Sequence, residues 1–283
     1  MRIDAHVHVM HADKDANGKL VPPLRTGWTA GKQTPQEYIK TSKEMGVDQI
    51  VVLDPPDVTF AAQKIFGDYI IPSPQVDMDK ATPEEIEDLF RQGACGIKFI
   101  CPMHSYGDNR YFPLYKAVLD CRGLAVFHTG YLSDTLFRPG AILAREDYVD
   151  IANMRPSALD RVARAFPDLN ILMSHFGNPW WEEAWKIMAS HKNIYADFSG
   201  GTAYKRAMSM WSEIFMPDGR LDTAAIAKLC FATDASYCFQ GIYESKNCIE
   251  FYERFFDALK VPAELREQVN HGNIRRLTLR GKK

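Results

Sequence analysis

Two histidines stand one residue apart near the start of the chain, in the segment Met1-Arg2-Ile3-Asp4-Ala5-His6-Val7-His8-Val9. The apolar residues around them predict a β-strand, and side chains at positions i and i+2 of a strand share a face. His6 and His8 can therefore close on one metal ion, because neutral imidazole is a common metal ligand. Two histidines that merely alternate on a half-buried strand give the same pattern, so the pair alone leaves both interpretations open.

Other polar side chains stand at or near the ends of later apolar runs: Lys98 in Gly-Ile-Lys, His128 in Ala-Val-Phe-His, His175 in Ile-Leu-Met-Ser-His, and Asp234 in Ala-Thr-Asp. A polar side chain in such a place is costly to bury unless it has a partner. Most of these residues are of types that bind metals. Together with the first pair, they predict one shared site.

The elements that must position this site alternate along the chain. Thr-Pro or Arg-Pro pairs at 34–35, 82–83 and 155–156 mark helix starts, and Thr82-Pro83-Glu84-Glu85 is a capping box. No Gly-x-Gly-x-x-Gly turn follows the first strand. We therefore predict an α/β fold, a (β/α)8 TIM barrel that forms a single domain over residues 1–283. The eight predicted strands lie near residues 3–9, 49–54, 69–76, 96–100, 125–129, 170–174, 194–197 and 230–233.

Two segments are too long for ordinary barrel connections, residues 11–33 and residues 131–154. Both leave from the C-terminal ends of strands, which is the face where barrel enzymes build their active sites. We expect these two loop excursions to act as lid and specificity loops. The same face brings the strand-end residues together, although they are far apart in sequence.

The composition favours a small-molecule enzyme. The chain has 34 Lys plus Arg against 36 Asp plus Glu, for a net charge of −2, and carries no basic tract suited to nucleic acid or to an anionic membrane. Six cysteines without a Cys-x-x-Cys pair are typical of reduced thiols, and no leader or membrane-spanning run is evident. We therefore expect a cytoplasmic protein that can form a homo-oligomer and binds neither nucleic acid nor membrane.

The ordered strand-end residues resemble the metal-binding signature of the amidohydrolase superfamily over nearly the whole chain. Within that superfamily, the chain resembles one branch in particular, the amidohydrolase-related group. This group includes aminocarboxymuconate semialdehyde decarboxylase, other nonoxidative decarboxylases and hydrolases. The motifs that carry it are Gly96-Ile97-Lys98, Pro156-Ser157-Ala158-Leu159-Asp160, Phe166-Pro167-Asp168-Leu169, Ser174-His175-Phe176-Gly177, Pro179-Trp180-Trp181 and Gly272-Asn273-Ile274-Arg275-Arg276-Leu277.

The resemblance implies that His6, His8, His128 and Asp234 bind one divalent ion, most often Zn²⁺. It also implies that His175 activates or positions a water beside the metal, while Asp234 accepts a proton from that water. A catalytic zinc site needs such nitrogen and oxygen ligands with one position left open. His175 as a further ligand, or as a structural hydrogen-bonding group, is the alternative.

Lys98 has two interpretations within the resemblance. Binuclear relatives carbamylate a lysine on the fourth strand, whereas this branch usually keeps it as a free ammonium. We favour the free ammonium, placed at the rim to hold a substrate carboxylate. Arginines on the excursions could add carboxylate clamps, although each could equally form a surface ion pair: Arg25, Arg138 and Arg155. Asp54, Asp77 and Asp197 follow other strands and are expected to orient the histidines.

Three classes of function remain open. The first is a metal-dependent hydrolase of a small carboxylate-bearing amide, ester or lactone, and the second is a metal-dependent nonoxidative decarboxylase of an unsaturated or aromatic acid. The third is a nuclease of the TatD type, or a barrel that only binds a ligand. Lys98 replaces the acidic ligand that a nuclease would need, and all the metal-type residues are present. We place the hydrolase first because hydrolysis is the broad activity of the superfamily, with the decarboxylase next.

Overall fold

The computed structural model describes residues 1–9, 12–14, 20–24, 35–132, 150–200, 202–235, 237 and 242–279. Within these ranges, no helix is both long and apolar enough to cross a lipid bilayer. The strands are β1 (Ile3–Val7), β2 (Ala12–Lys14), β3 (Leu20–Leu24), β4 (Gln49–Val52), β5 (Ile70–Pro72), β6 (Gln75–Val76), β7 (Gly96–Phe99), β8 (Leu124–His128), β9 (Asn170–Ser174), β10 (Ile194–Asp197) and β11 (Leu229–Cys230).

The strands other than β2 and β3 pair in parallel, in the orders β1-β4-β5 and β11-β10-β9-β8-β7-β6. The first seam between these two sheets lies where Ser73 and Pro74 separate β5 from β6. There the Ser73 N–H donates to Val52 O at 3.0 Å and the Lys98 N–H donates to Pro74 O at 2.9 Å. At this seam the chain therefore continues from one sheet into the other.

The second seam joins β1 to the segment that extends β11. The Ala5 N–H donates to Phe231 O at 2.9 Å, the Asp234 N–H donates to His6 O at 2.8 Å, and Val7 pairs with Ala235 in parallel. The strands thus form a ring, and β5 with β6 counts as one interrupted strand of it. The predicted (β/α)8 TIM barrel is confirmed.

The helices α1 to α8 lie between strands in sequence, and α9 to α11 follow the last strand, β11. Thr82 caps α3 as predicted, since its hydroxyl accepts the Glu85 N–H at 3.2 Å. The start predicted at Pro156 is two residues early, because Pro156 lies in a turn before α5. The helices are α1 (Pro35–Glu44), α2 (Pro56–Phe66), α3 (Pro83–Arg91), α4 (Phe112–Asp120), α5 (Ala158–Ala165), α6 (Trp181–Ser190), α7 (Met208–Phe215), α8 (Thr223–Ile226), α9 (Ile242–Ala258), α10 (Ala263–Glu267) and α11 (Asn273–Thr278).

The inside of the ring is filled by apolar side chains, and α11 packs against them through Ile274 and Leu277. Leu124 and Val126 of β8 belong to this inner cluster, and the alternation of a strand places His128 on the same face. The cluster members on the strands, or within two residues of a strand end, are Ile3, Ala5, Val51, Leu53, Leu124, Val126, Leu172, Tyr195, Cys230 and Ala232. Apolar packing thus fills most of the barrel interior, and the site histidines lie at the strand ends.

The two excursions are only partly described. The first, which was expected to be a lid or specificity loop, contains an antiparallel hairpin of β2 with β3. In the second, Tyr131, Leu132 and a 3₁₀ helix at Ile151–Met154 are described. Arg25 and Arg138 lie outside the described residues.

Candidate metal centre

His6 and His8 converge on the carboxylate of Asp234. The Nε2 atoms of the two rings lie 3.2 Å and 3.3 Å from Asp234 Oδ1. Val7, between them, packs into the core outside the ring. The pairing register of β1 shifts between Asp4 and Val7. The i, i+2 spacing therefore places both histidines on one face, as the sequence predicted.

Asp234 reaches this position through an unusual backbone conformation. Its φ is +57°, and its N–H donates to His6 O, so the residue is held against the end of β1. Burial opposes the charge of the Asp234 carboxyl, but His6 and His175 outweigh it and hold the pKa well below its usual range. The carboxylate is thus ionised and available to a cation.

His128 and His175 form a second pair beside the first. His128 Nδ1 lies 3.0 Å from His175 Nε2, a separation that suits either a shared proton or two lone pairs directed at one cation. Burial, with neighbouring charges, lowers the pKa of His128 well below its usual range and that of His175 to about 4. Both rings are therefore neutral, as metal ligands must be.

The four predicted ligands do not form one tight group. Ligand atoms of His6, His8 and Asp234 all lie within 4.8 Å of one another, and those of His6, His175 and Asp197 form another such group. His128 joins neither group and contacts the cluster through His175. Its Nε2 is buried with no hydrogen-bond partner among the described residues.

Carboxylates behind the histidines orient them. Asp54 Oδ1 lies 2.8 Å from His8 Nδ1, while its Oδ2 accepts the Val9 N–H at 2.8 Å. Burial opposes a charge on His8, but Asp234 and Asp54 together outweigh it and raise the pKa of His8 to about 9, so His8 would release a proton on binding a metal ion. Asp197 Oδ1 accepts the His175 N–H at 3.0 Å. Asp77, by contrast, pairs with Lys80 at 3.1 Å.

Asp4 ties the two ends of the site together. Its carboxylate accepts the Thr233 N–H at 3.0 Å, the Thr233 hydroxyl at 2.6 Å and the Tyr237 hydroxyl at 2.6 Å. It also accepts the His6 N–H at 3.1 Å. The carboxylate therefore fixes the backbone next to Asp234 relative to that of His6.

Lys98 lies inside the barrel, not at the rim where we expected it. The side chain is fully buried, and Nζ lies 3.4 Å from His6 Nε2 and 3.3 Å from Ser174 Oγ. Lys98 is the third residue of the short strand β7. Its side chain therefore points to the opposite face of the strand from Ile97 and Phe99, which pack in the core outside the ring. Burial lowers the pKa of Lys98 to about 8, against the opposing effect of Asp234 and Asp197.

The structure does not bring Arg155 to the cluster. Its guanidinium pairs with Glu183 at 2.5 Å and stacks over the Trp180 ring at 4.8 Å. Trp181 and Trp185 pack against the hydrophobic core. The helix α9 and the residue after it bury Tyr252, Phe255, Phe256 and Leu259 in the core.

Several residues at the site were not anticipated from the sequence. Ser174 touches Lys98, and Ser199 touches both His6 and His175. Gly200, with a φ of +88°, leaves room for the cluster, because a Cβ there would lie 3.1 Å from His175 Nδ1 and 3.4 Å from Asp234 Oδ2. The i+2 spacing from Asp197 was the available signal for Ser199, but serine is too common at strand ends to stand out.

The residues present fit a divalent cation. The neutral imidazoles of His128 and His175 and the ionised Asp234 carboxylate offer nitrogen and oxygen donors of the kind that Zn²⁺ and similar ions bind, and His128 Nε2 has no partner among the described residues. A buried polar atom without a partner is costly, and a bound ion or a nearby polar ligand relieves that cost.

Comparison with known proteins points to one family. The family model described as Amidohydrolase matches residues 3–277. No curated protein matches the chain significantly.

Solved structures similar to the chain include the 5-carboxyvanillate decarboxylase LigW from Sphingomonas paucimobilis, at 13% identity and a TM-score of 0.64, covering 99% of each chain. A probable 2-pyrone-4,6-dicarboxylic acid hydrolase from Acinetobacter baumannii with citric acid bound has 15% identity and a TM-score of 0.61, covering 98% of each chain. A variant of the LigW2 decarboxylase from Novosphingobium aromaticivorans, with bound manganese and a nitrobenzoic acid, has 15% identity and a TM-score of 0.57, covering 85% of this chain and 79% of that one. At these identities the likeness shows the fold.

Proposed function

This chain belongs to the amidohydrolase family, and from that premise we propose that it is a metal-dependent hydrolase of a small amide, ester or lactone that bears a carboxylate. The family makes it an enzyme of the hydrolase or carboxy-lyase type. The observation that carries the proposal is the convergence of His6 Nε2 and His8 Nε2 on one oxygen of Asp234, with the His128–His175 pair beside them.

The proposed ion is Zn²⁺, one per chain, and its ligands would be His6, His8, His128 and Asp234. When bound there, such an ion supplies a Lewis acid that polarises a substrate oxygen and makes water easier to deprotonate. The carboxylate of Asp234 is ionised, so it can accept a proton from a water at the site. His175, a neutral imidazole next to it, can hold or return that proton.

A substrate carboxylate is the second part of the proposal. The similar structures that contain citric acid or a nitrobenzoic acid support it, since those ligands are carboxylic acids. In this chain, the buried ammonium of Lys98 lies inside the barrel, next to His6. Its positive charge favours the binding of an anionic group at the histidines. Arg25 and Arg138 remain proposed carboxylate-binding residues, whereas Arg155 is engaged with Glu183.

A decarboxylase is the second candidate, and the position of Lys98 favours it. Loss of CO₂ breaks the bond between the carboxyl carbon and its neighbour, and a proton must then replace the carboxyl group. An ammonium with a pKa of about 8 beside the cluster is an acid suited to deliver that proton. The fold shared with LigW is compatible with this reaction.

The test begins with metal analysis of the purified protein, where we expect about one equivalent of Zn²⁺ or a similar ion per chain. The His6→Ala, His8→Ala double variant should be empty yet folded, while His104→Ala, a change at an exposed histidine, should keep the ion. No metal in the wild type, with no gain of thermal stability when metals are added, would exclude the site.

The two reactions are then separated by their products. A panel of carboxylated lactones, esters and amides is incubated in ¹⁸O-labelled water, and a panel of aromatic and unsaturated acids is monitored for CO₂ release. Hydrolysis places one ¹⁸O in the new carboxyl group, whereas decarboxylation releases CO₂ and leaves a new C–H bond. Turnover only in the second panel, lost in the double variant, would replace the hydrolase with the decarboxylase.

A further inference from the structure

Ser199 lies behind the cluster, two residues after the end of β10. It is almost completely buried, and its hydroxyl contacts three residues of the site. Ser199 Oγ donates a short hydrogen bond to Asp197 Oδ1, and lies 3.2 Å from His6 Nδ1 and 3.0 Å from His175 Nδ1. His6, His175 and Asp197 are also one of the two groups of ligand-type atoms. A hydroxyl therefore links these three side chains.

The direction of each hydrogen bond follows from counting protons. Asp197 Oδ1 accepts the backbone N–H of Ser199 at 2.9 Å and that of His175 at 3.0 Å, so this oxygen is an acceptor. The single hydroxyl proton of Ser199 is then used in its bond to Asp197. Only the lone pairs of Oγ remain, and they can only accept.

Both imidazoles must therefore donate to Ser199 from Nδ1. For His175 a second contact agrees, because its Nδ1 also lies 3.0 Å from the backbone carbonyl oxygen of Ser199, which can only accept. For His6 the next acceptor, Asp197 Oδ2, is 3.9 Å away and beyond hydrogen-bonding distance. The hydroxyl is thus the main acceptor for His6 Nδ1, whereas His175 has two.

We propose that Ser199 is a positioning residue that keeps a proton on Nδ1 of His6 and of His175 and so directs the Nε2 atoms of both rings into the cluster. His6 Nε2 lies 3.2 Å from Asp234 Oδ1, and His175 Nε2 lies 3.0 Å from His128 Nδ1. The protonation state of Nδ1 does not depend on the proposed reaction. Its consequence for metal binding rests on the proposed metal site.

The experiment is ¹⁵N–¹H correlation spectroscopy of the imidazole groups in the full chain, as purified and after loading with Zn²⁺. His6→Asn and His175→Asn variants assign the signals. We expect both rings to carry a proton on Nδ1 in both states. An unprotonated Nδ1 on either ring in the wild-type protein would overturn the proposal, whether or not the protein binds metal.

Ser199→Ala adds a sharper distinction between the two rings. His6 should lose its Nδ1–H signal to solvent exchange, since its acceptor is gone, while His175 should keep its signal through the carbonyl oxygen of Ser199. The dissociation constant for Zn²⁺ should rise roughly 10- to 100-fold, the usual effect of removing a group that orients a metal-binding histidine.

The matched control is Ser42→Ala, which removes another buried serine hydroxyl, one that donates to backbone carbonyls of Ile39 and Val47 far from the histidines. Ser42→Ala should leave the Zn²⁺ dissociation constant and both imidazole signals unchanged. An unchanged His6 signal and Zn²⁺ affinity in Ser199→Ala, or equal changes in the two variants, would reduce Ser199 to a packing residue.

Discussion

The rings of His128 and His175 face each other with 3.0 Å between Nδ1 and Nε2, although 47 positions of sequence separate them. The pairing brings together the ends of β8 and β9, which are neighbours in the ring. One of these histidines is proposed to bind the ion and the other to act on water or substrate. Because the rings touch, their roles must be separated by experiment.

His175→Asn should keep nearly full metal content and lower kcat by about 10²-fold or more, the usual scale for the loss of a positioned acid or base. His128→Asn, the matched change in the other ring, should lose the metal. Elemental analysis and steady-state kinetics on both variants check this prediction. If His175→Asn is as empty of metal as His128→Asn, then His175 is a ligand.

Gly200→Ala should lower metal affinity and activity. The new methyl group would lie 3.1 Å from His175 Nδ1 and 3.4 Å from Asp234 Oδ2, and the residue would carry a φ of +88°. The conformational cost alone is about 1–2 kcal/mol of unfolding free energy.

Gly219→Ala provides the control, because Gly219 has a φ of +80° but nothing within 4 Å of its added Cβ. Both variants should lose a similar unfolding free energy in denaturant titrations, while only Gly200→Ala should bind Zn²⁺ more weakly. Equal Zn²⁺ affinity in the two variants would show that the space beside Gly200 is not needed by the site.

Asp54→Asn should raise the Zn²⁺ dissociation constant roughly 10- to 100-fold. The two oxygens of Asp54 face two groups, His8 Nδ1 and the Val9 N–H, and an amide can accept on only one side. The ring of His8 then loses its orientation or the backbone of Val9 loses a partner. Asp108→Asn, at a carboxylate that accepts the Arg110 N–H on the surface, should bind Zn²⁺ normally in the same titration.

Lys98 is expected to remain a free amine, so bicarbonate should not change the metal content and one ion should bind per chain. Lys98→Met should therefore keep the ion but lower kcat/KM, since the variant removes the buried positive charge and leaves the ligands in place. Two ions per chain that require bicarbonate, both lost in Lys98→Met, would instead identify a carbamate on Lys98.

The pattern of apolar runs predicted the barrel well where strands are buried and regular. The assignments 170–174 and 194–197 match β9 and β10 residue for residue. The run 69–76 was predicted as one strand but is split into β5 and β6. Pro74 explains the split, because proline has no N–H to donate to a neighbouring strand.

The sequence predicted those site residues whose type and position at a strand end both indicate a metal site. It predicted less well the features that depend on side-chain packing in the folded barrel. His6, His8 and Asp234 meet because strand ends converge in a barrel, which the sequence pattern implies. The depth of Lys98 and the distance of His128 from the other ligands depend on strand tilt and side-chain rotamers, which no spacing encodes. Ser199 went unnoticed because its role comes from a hydrogen-bond geometry that exists only in the folded barrel.

The bonds from Asp4 to Thr233 also bear on the order in which the protein folds. They span 229 positions of sequence, nearly the whole chain, and they close the seam that carries His6 and Asp234. Contacts of such long range form late, because the entropy of closing so large a loop must be overcome before they stabilise anything. A folding intermediate without the last strand would present His6 and His8 but not their carboxylate. Tight uptake of an ion should therefore accompany the final folding step, and a metal-sensitive dye added during refolding would report when the barrel closes.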